Sequence, residues 1–229
     1  MSTGYKQIGT AASFVDSMNR ANGPLGSNWV AGQEIREGGA PVAFAKATIA
    51  ASVVDGLQCM KLSTFNNAVG IVQPTVIIPV QPIGLLDRSQ FVQWTVVRHL
   101  RTAGVNNLFA GPTVLTTATS EAVNSNAYIF QLQTPVPQGT LIRRNGTVET
   151  GLSAAYAFVD GDILRITAVI NPTNVTLQIF INGVLKESVV DSSGSRLVLG
   201  LPGLMATSLN EPSGNYVSEW RNFSCGQAA

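Results

Sequence analysis

The chain has 229 residues, with 14 Lys and Arg against 13 Asp and Glu, one His, and a formal net charge of +1. Charged residues make up 12% of it, roughly half the usual share, and no basic run offers a nucleic-acid footprint. With 45% hydrophobic residues, such a composition fits either a large core or a surface partly covered by neighbouring subunits.

Residues 1–15 read as an irregular or extended arm, ahead of a single domain over residues 16–229. Asn22-Gly23-Pro24 and Gly26 force a turn within residues 20–28. Strand signals follow at Trp29-Val30, Ala43–Val54 and Leu57–Ser63. The Ala-rich start of the second run also suits a helix, but its Gly and Pro flanks and the Asp55-Gly56 turn favour a strand. Residues 70–80 mix Val and Ile with Pro, which cannot donate to a ladder, so this piece is expected at an edge or between strands.

Phe91–Leu100 is a clear strand, rich in β-favouring residues. Asn107–Leu115 and Tyr128–Leu132 read as two more, with the polar Thr116–Asn126 loop between them. Arg144-Asn145-Gly146-Thr147 is a two-residue hairpin signal inside Thr140–Thr150. Asp162–Ile170 and Val175–Ile181 alternate, and Asn182-Gly183 turns the chain into Val184–Val190. The final strand is Tyr216–Ser224. Many short strands, frequent turn signals and no amphipathic helix predict an all-β fold, an antiparallel β-sandwich whose first and last strands meet.

Two segments carry a family resemblance. Asn19-Arg20-Ala21-Asn22-Gly23-Pro24-Leu25-Gly26 followed by Trp29 is the first, with Met18 where an aromatic residue usually stands. Gly161-Asp162, two strands and the Asn182-Gly183 turn, and then the closing strand, make up the second. Together they resemble concanavalin A-like lectin/glucanase jelly-roll domains of the kind found in bacteriophage structural proteins. That family commonly carries two acidic residues before the Phe of its last strand; here Arg221 and Asn222 precede Phe223. The resemblance implies a jelly-roll fold, and it covers about a third of the chain. Fold of this type hosts lectins, glycosidases and structural modules alike, so function must come from the site.

Glucanases of this fold set two carboxylates on one strand face for nucleophile and acid/base work. Glu34 and Glu37 are three apart and would face opposite sides of a strand. Asp160 and Asp162 have the right spacing but flank a Gly in a turn, and are expected to shape that turn. Asp191, Ser192, Ser193, Asn210 and Glu211 could give oxygens to calcium, yet nothing in sequence brings them together. His99 has no second histidine with which to share a metal. No metal and no cofactor is expected.

Arg20, in its Gly/Pro turn, is expected to act as a structural clamp on the closing strand, with Glu219 as partner. Trp29 and Trp220 are expected in the core. Tyr128 and Tyr156 border polar loops and are the candidate glycan-stacking rings. Cys59 and Cys225 each lie in a strand-like run and read as buried free thiols. The sequons at Asn145, Asn174 and Asn222 read as coincidental. The start, Met1-Ser2-Thr3-Gly4-Tyr5-Lys6-Gln7, has no apolar signal core, and the prolines within Gly70–Leu86 break the most apolar stretch, so neither export nor a membrane span is expected.

The resulting expectation is a non-enzymatic virion protein, made in a host cytoplasm. It would decorate or cement the capsid, or sit on the tail, through contacts with other virion proteins and with copies of itself. The alternative is a carbohydrate-binding, receptor-binding module of a tail fibre, with a glycan as partner. A glycosidase with a dispersed acid pair is a third reading, and it would need two facing carboxylates in a deep cleft.

Overall fold

The alternation seen in the sequence produces sixteen strands in a computed structural model that describes residues 13–24, 29–31, 46–64, 73–79, 87–99, 108–117, 126–133, 138–146, 148–208 and 216–228. They are β1 (Ser13–Asp16), β2 (Gly23–Pro24), β3 (Trp29–Ala31), β4 (Lys46–Ala51), β5 (Gln58–Thr64) and β6 (Gln73–Pro79). Then come β7 (Gln90–His99), β8 (Leu108–Thr117), β9 (Asn126–Gln133), β10 (Gln138–Asn145) and β11 (Val148–Ala157). The last five are β12 (Ile163–Ile170), β13 (Val175–Ile181), β14 (Val184–Asp191), β15 (Leu201–Ser208) and β16 (Tyr216–Gln227).

All pairings are antiparallel, and they form two sheets. The nine-stranded sheet runs β14-β13-β12-β7-β16-β5-β4-β2, with β1 added to β16. The seven-stranded sheet runs β11-β10-β9-β8-β15-β6-β3. The first strand expected from the sequence, at Trp29-Val30, does not meet the last: β3 pairs with β6 in the seven-stranded sheet, and it is β1, at the end of the expected arm, that lies on β16, with Ser13 opposite Gly226 and Asp16 opposite Phe223.

Period-2 alternation decides which side chains enter the space between the sheets. From the nine-stranded sheet, Val92, Trp94 and Val96 of β7, Leu164, Ile166 and Ala168 of β12, and Trp220 and Phe223 of β16 are buried there. Tyr128, Phe130 and Leu132 of β9 and Leu141 of β10 meet them from the other sheet. At one end the rings of Phe14, Trp29, Trp94, Trp220 and Phe223 pack together at centroid separations of 4.6–6.2 Å. Trp29 and Trp220 are core residues, as their place in the two motifs predicts.

The Asp160–Val190 block matches its sequence reading closely. Gly161 and Gly183 adopt φ of 97° and 77°, and Asn182 takes φ 53°, the left-handed geometry that a two-residue Asn-Gly turn requires. The β10–β11 hairpin has a two-residue connection, but Asn145 pairs with Val148, so it falls one position later than the Asn145-Gly146 centre of the sequence signal.

Three expectations change. Residues 73–79 are neither an edge nor a connection: β6 is laddered between β15 and β3. Its prolines, Pro74 and Pro79, sit near its two ends, which leaves Thr75–Ile78 free to donate. Ser13, Phe14 and Val15, at the end of the expected arm, belong to β1, while residues 1–12 lie outside the described residues. Strand β15, Leu201–Ser208, carries Pro202 and Gly203 and has no strong period-2 pattern, so only the structure reveals it. The loops around Thr116–Asn126 and Ser208–Asn215, which the sequence offers as surfaces for contact with a partner, lie partly outside the described residues, which omit 118–125 and 209–215.

Candidate functional site

Strand β16 changes partner along its length. Tyr216–Trp220 pair with β5, and Phe223–Gly226 pair with β1. At the changeover its register against β7 slips between Arg221, opposite Thr95, and Ser224, opposite Gln93. Asn222 sits in this bulge with φ 54°, a backbone region that non-Gly residues seldom use. The bulge pushes Arg221 and Asn222 outward on the face of the nine-stranded sheet that turns away from the core.

Two surface pockets flank the bulge and share Arg221 and Asn222. One, of about 260 Å³, is lined by Val54, Asp55, Thr95, Val97, Asp160, Gly161, Arg221 and Asn222. The other, of about 310 Å³, is lined by Ser17, Asn19, Leu57 and Gln58 besides the shared pair. Arg221 Nη2 donates to Asp55 Oδ1 at 2.8 Å, and Asn222 Nδ2 to Thr95 Oγ1 at 3.3 Å. The Arg221 hydrogen bond holds the Asp55 carboxyl below the usual carboxylate range. Of the two residues that stand in place of the family's two acids, Arg221 forms an ion pair with Asp55 and Asn222 a neutral hydrogen bond with Thr95.

Asp55 lies in the Ser52–Leu57 turn that joins β4 to β5. Ser52 N donates to Leu57 O, Gly56 N donates to Ser52 O, and Gly56 takes φ 72°. The turn also covers Glu219, which is fully buried. Ser52 Oγ donates to Glu219 Oε2, and Lys61 Nζ lies 3.3 Å from Oε1.

The expected clamp between Arg20 and Glu219 is therefore replaced by two separate devices. Arg20 Nη1 reaches both oxygens of Asp16 at 2.7 and 2.8 Å. Asp16 also accepts from Met18 N at 2.8 Å and Trp29 Nε1 at 2.9 Å. Burial pushes the Asp16 carboxyl up, but the hydrogen bonds from Arg20, Trp29 and Met18 outweigh it and hold it below its ordinary range. The physical reason is chain proximity: Arg20 is four residues from Asp16, whereas Glu219 is taken by Lys61, its neighbour in register across the sheet. Asp16 went unnoticed because its role depends on Trp29, thirteen residues away, although the Asp-x-x-x-Arg spacing offered a hint.

Tyr128 cannot stack on a sugar. Its ring is fully buried, its hydroxyl donates to Asp191 Oδ2 at 2.7 Å, and Leu197 N donates to that hydroxyl at 3.0 Å. Its even position on β9 points it into the core beside Arg143 of β10, with which it is in register. Arg143 Nη1 lies 2.7 Å from Asp191 Oδ2, and Ser193 N donates to Oδ1 at 3.0 Å. Burial raises the Asp191 carboxyl, but bonds from Ser193, Arg143 and Tyr128 pull it down to about 2. Asp191 is thus the hub of a buried ion-pair network, and its oxygens are spent on Arg143, Tyr128 and Ser193; Asn210 and Glu211 lie outside the described residues.

Tyr156 is half-buried against the core and donates to Glu187 Oε2 at 2.7 Å, tying edge strand β11 to edge strand β14 across the sandwich. The Asp160–Asp162 pair shapes its turn: His99 N donates to Asp160 Oδ1 at 3.1 Å, and Val159 N and Asn182 Nδ2 donate to Asp162. Glu34 and Glu37 lie outside the described residues. Among the described residues no group of three or more His, Cys, Asp and Glu is placed to hold a metal. Cys59 and Cys225 are free and buried, and burial pushes their thiols up to about 11 and about 12.

No protein-family model matches the chain, and no curated protein matches its sequence. Solved structures do match its fold. The chain is similar to an endo-1,3-beta-glucanase from Streptomyces sioyaensis, with TM-score 0.57 and 9% identity over 94% of this chain and 96% of that one. It is similar to a Bacillus licheniformis beta-glucanase, with TM-score 0.52 and 12% identity over 97% of this chain and 100% of that one. It is also similar to the carbohydrate binding module CBM66 from Bacillus subtilis, with TM-score 0.51 and 9% identity over 87% and 96%. Two antiparallel sheets, the buried motif tryptophans and these likenesses agree on one architecture: the chain folds as a concanavalin A-like jelly roll of the lectin and glucanase type.

Proposed function

We propose that this chain is a non-enzymatic structural protein of a bacteriophage particle, acting through contacts with other virion proteins and with copies of itself on the capsid or tail. The observation that carries the mode of action is the chemistry of the exposed surface. The large hydrophobic side chains exposed among the described residues are all aliphatic, including Val15, Val53, Val54, Leu57, Val184, Leu185 and Val190. Aliphatic side chains of this kind suit burial against a protein partner. A sugar ring prefers an open aromatic face, and among the described residues the half-buried rings are already engaged: Arg165 lies over Phe91 at 4.2 Å and near Phe180 at 5.7 Å, Tyr156 is bonded to Glu187, and Phe14 packs on Trp29 and Phe223.

The carboxylates favour the same reading. A glycosidase needs an acid whose proton is retained near neutral pH, facing a second carboxylate. Among the described residues, the carboxyls displaced from their ordinary range, Asp16, Asp55 and Asp191, are all held low. The particle setting itself rests on the sequence resemblance around Asn19–Trp29 and Gly161–Gly183.

The test is co-sedimentation of the purified chain with phage particles that lack it, beside its mass in solution by light scattering. Saturable binding by an oligomer supports the reading; a monomer that ignores heads and tails alike overturns it. The second reading, a glycan-binding module, draws on the likeness to CBM66 and on the amide- and carboxylate-lined pockets at the bulge. Saturable glycan-array binding without particle binding would move the assignment there.

A further inference from the structure

We propose that the 260 Å³ pocket beside the β16 bulge receives the side chain of a lysine from a protein partner, its ammonium held by Asp55 and Asp160. This rests on the protein-contact reading above and gives that contact a specific chemistry.

The two carboxylates come from different turns, Ser52–Leu57 and Asp160–Gly161, and line one cavity with Arg221 and Asn222 of the bulge. Each has one oxygen committed. Asp55 Oδ1 accepts from Arg221 Nη2 and from Leu57 N, and Asp160 Oδ1 accepts from His99 N. The Oδ2 atom of each makes no hydrogen bond among the described residues, so two acceptors remain for an incoming donor. Two carboxylates against the single Arg221 guanidinium leave the lining with one net negative charge. An anion is disfavoured there, because the guanidinium is already paired and two carboxylates repel it.

The rest of the lining fits a lysine better than a bare cation. Val54 and Val97 give apolar wall for a four-carbon stem. A calcium ion asks for six to eight oxygens, and the described residues assemble no cluster of three or more ligating acids. On the turn that carries Asp55, Val53, Val54 and Leu57 are 65%, 61% and 60% exposed; Val54 lines this pocket and Leu57 the one across the bulge. A partner that seats a lysine would cover this aliphatic turn and exclude water from the ion pair, the arrangement that makes a charged contact count.

The experiment titrates the full chain, labelled with nitrogen-15, with Nα-acetyl-lysine-N-methylamide, and with the norleucine analogue that has the stem but no ammonium. The expected result is saturable amide shifts at Val54, Asp55, Thr95, Gly161 and Asn222 with the lysine probe alone. Asp160→Asn and Asp55→Asn keep their Oδ1 acceptors, so the fold survives, and each is expected to weaken the probe about tenfold. Equal shifts with norleucine, or lysine binding unchanged in the double variant, would overturn the proposal. So would calcium chloride giving the same shifts at lower concentration than the lysine probe. The two readings fail separately. Probe binding without particle binding sinks the virion role and leaves the pocket chemistry standing; particle binding undiminished in the double variant sinks the lysine site alone.

Discussion

Substituting Asp191 by Asn keeps the shape and one carbonyl acceptor but removes the charge that Arg143 faces. Both side chains are nearly buried, at 10% and 3% exposure for Arg143 and Asp191. The cost follows from two directions. The carboxyl falls from an ordinary 3.8 to about 2 in the folded chain, and each unit of such a shift is worth about 1.36 kcal/mol. The ionised form therefore stabilises the fold by roughly 2.5 kcal/mol. Breaking a buried pair from one side costs about 3–5 kcal/mol, the same order, because protonation does reversibly what the substitution does permanently. The sign is that of a depressed acid: the stabilisation is complete above pH 4 and drains away as pH falls through 4 towards 2.

The assay is urea unfolding followed by tryptophan fluorescence, since Trp29, Trp94 and Trp220 are all buried reporters. At pH 7 the Asp191→Asn variant is expected to lose about 2.5–4 kcal/mol, or about 5–15 °C in Tm for a chain of this size. The gap should shrink towards about 1 kcal/mol near pH 2.5, as the natural carboxyl protonates. A gap of the same size at both pH values, or a loss below about 1 kcal/mol at pH 7, would refute the buried-pair account.

Three further outcomes are expected. Asp16→Ala should destabilise by about 2–4 kcal/mol, because Trp29 Nε1 and Met18 N lose their acceptor, whereas Arg20→Gln should cost under about 1 kcal/mol, since Arg20 is 36% exposed; equal losses in urea melts would contradict the Asp16-centred arrangement. Gly111→Ala should prevent native folding, read by loss of near-ultraviolet circular dichroism, because a Cβ there would lie 1.9 Å from the Phe130 carbonyl oxygen; a native-like spectrum would show that β8 and β9 sit further apart. Cys59 and Cys225, buried and with thiols pushed to about 11 and about 12, should resist a disulfide reagent at pH 8 and react only in denaturant; rapid labelling of the native chain would contradict their burial.

Local patterns made some of this legible. The Asp160–Val190 block carries both its alternation and its turn residues within thirty positions, and its strands stand where those patterns put them. The core roles of Trp29 and Trp220 followed from their place in the two motif segments. What stayed hidden depends on partners distant in sequence. Arg143 meets Asp191 48 residues away, and Ser52 meets Glu219 167 residues away. No spacing rule links such pairs, so Tyr128 could look like a surface ring when its neighbour Asp191 had already drawn its hydroxyl inside. The bulge at Arg221–Asn222 was equally invisible, because a register slip depends on how β16 is shared between β7, β5 and β1.

That sharing has a kinetic consequence. Strand β16 is the last of the sixteen to leave a ribosome, yet it occupies the middle of the nine-stranded sheet. Until it docks, β7 on one side and β5 and β1 on the other are open edges, with Trp94 and Phe14 lacking the ring of Phe223. Its pairing with β1 also closes a loop of some two hundred residues, the kind of contact whose entropy must be met before it is rewarded. Folding should therefore be slow, with the nine-stranded sheet closing only once β16 is available. A chain cut short of residue 216 should not yield a smaller stable domain, but a pair of sticky half-sheets that seek each other's edges.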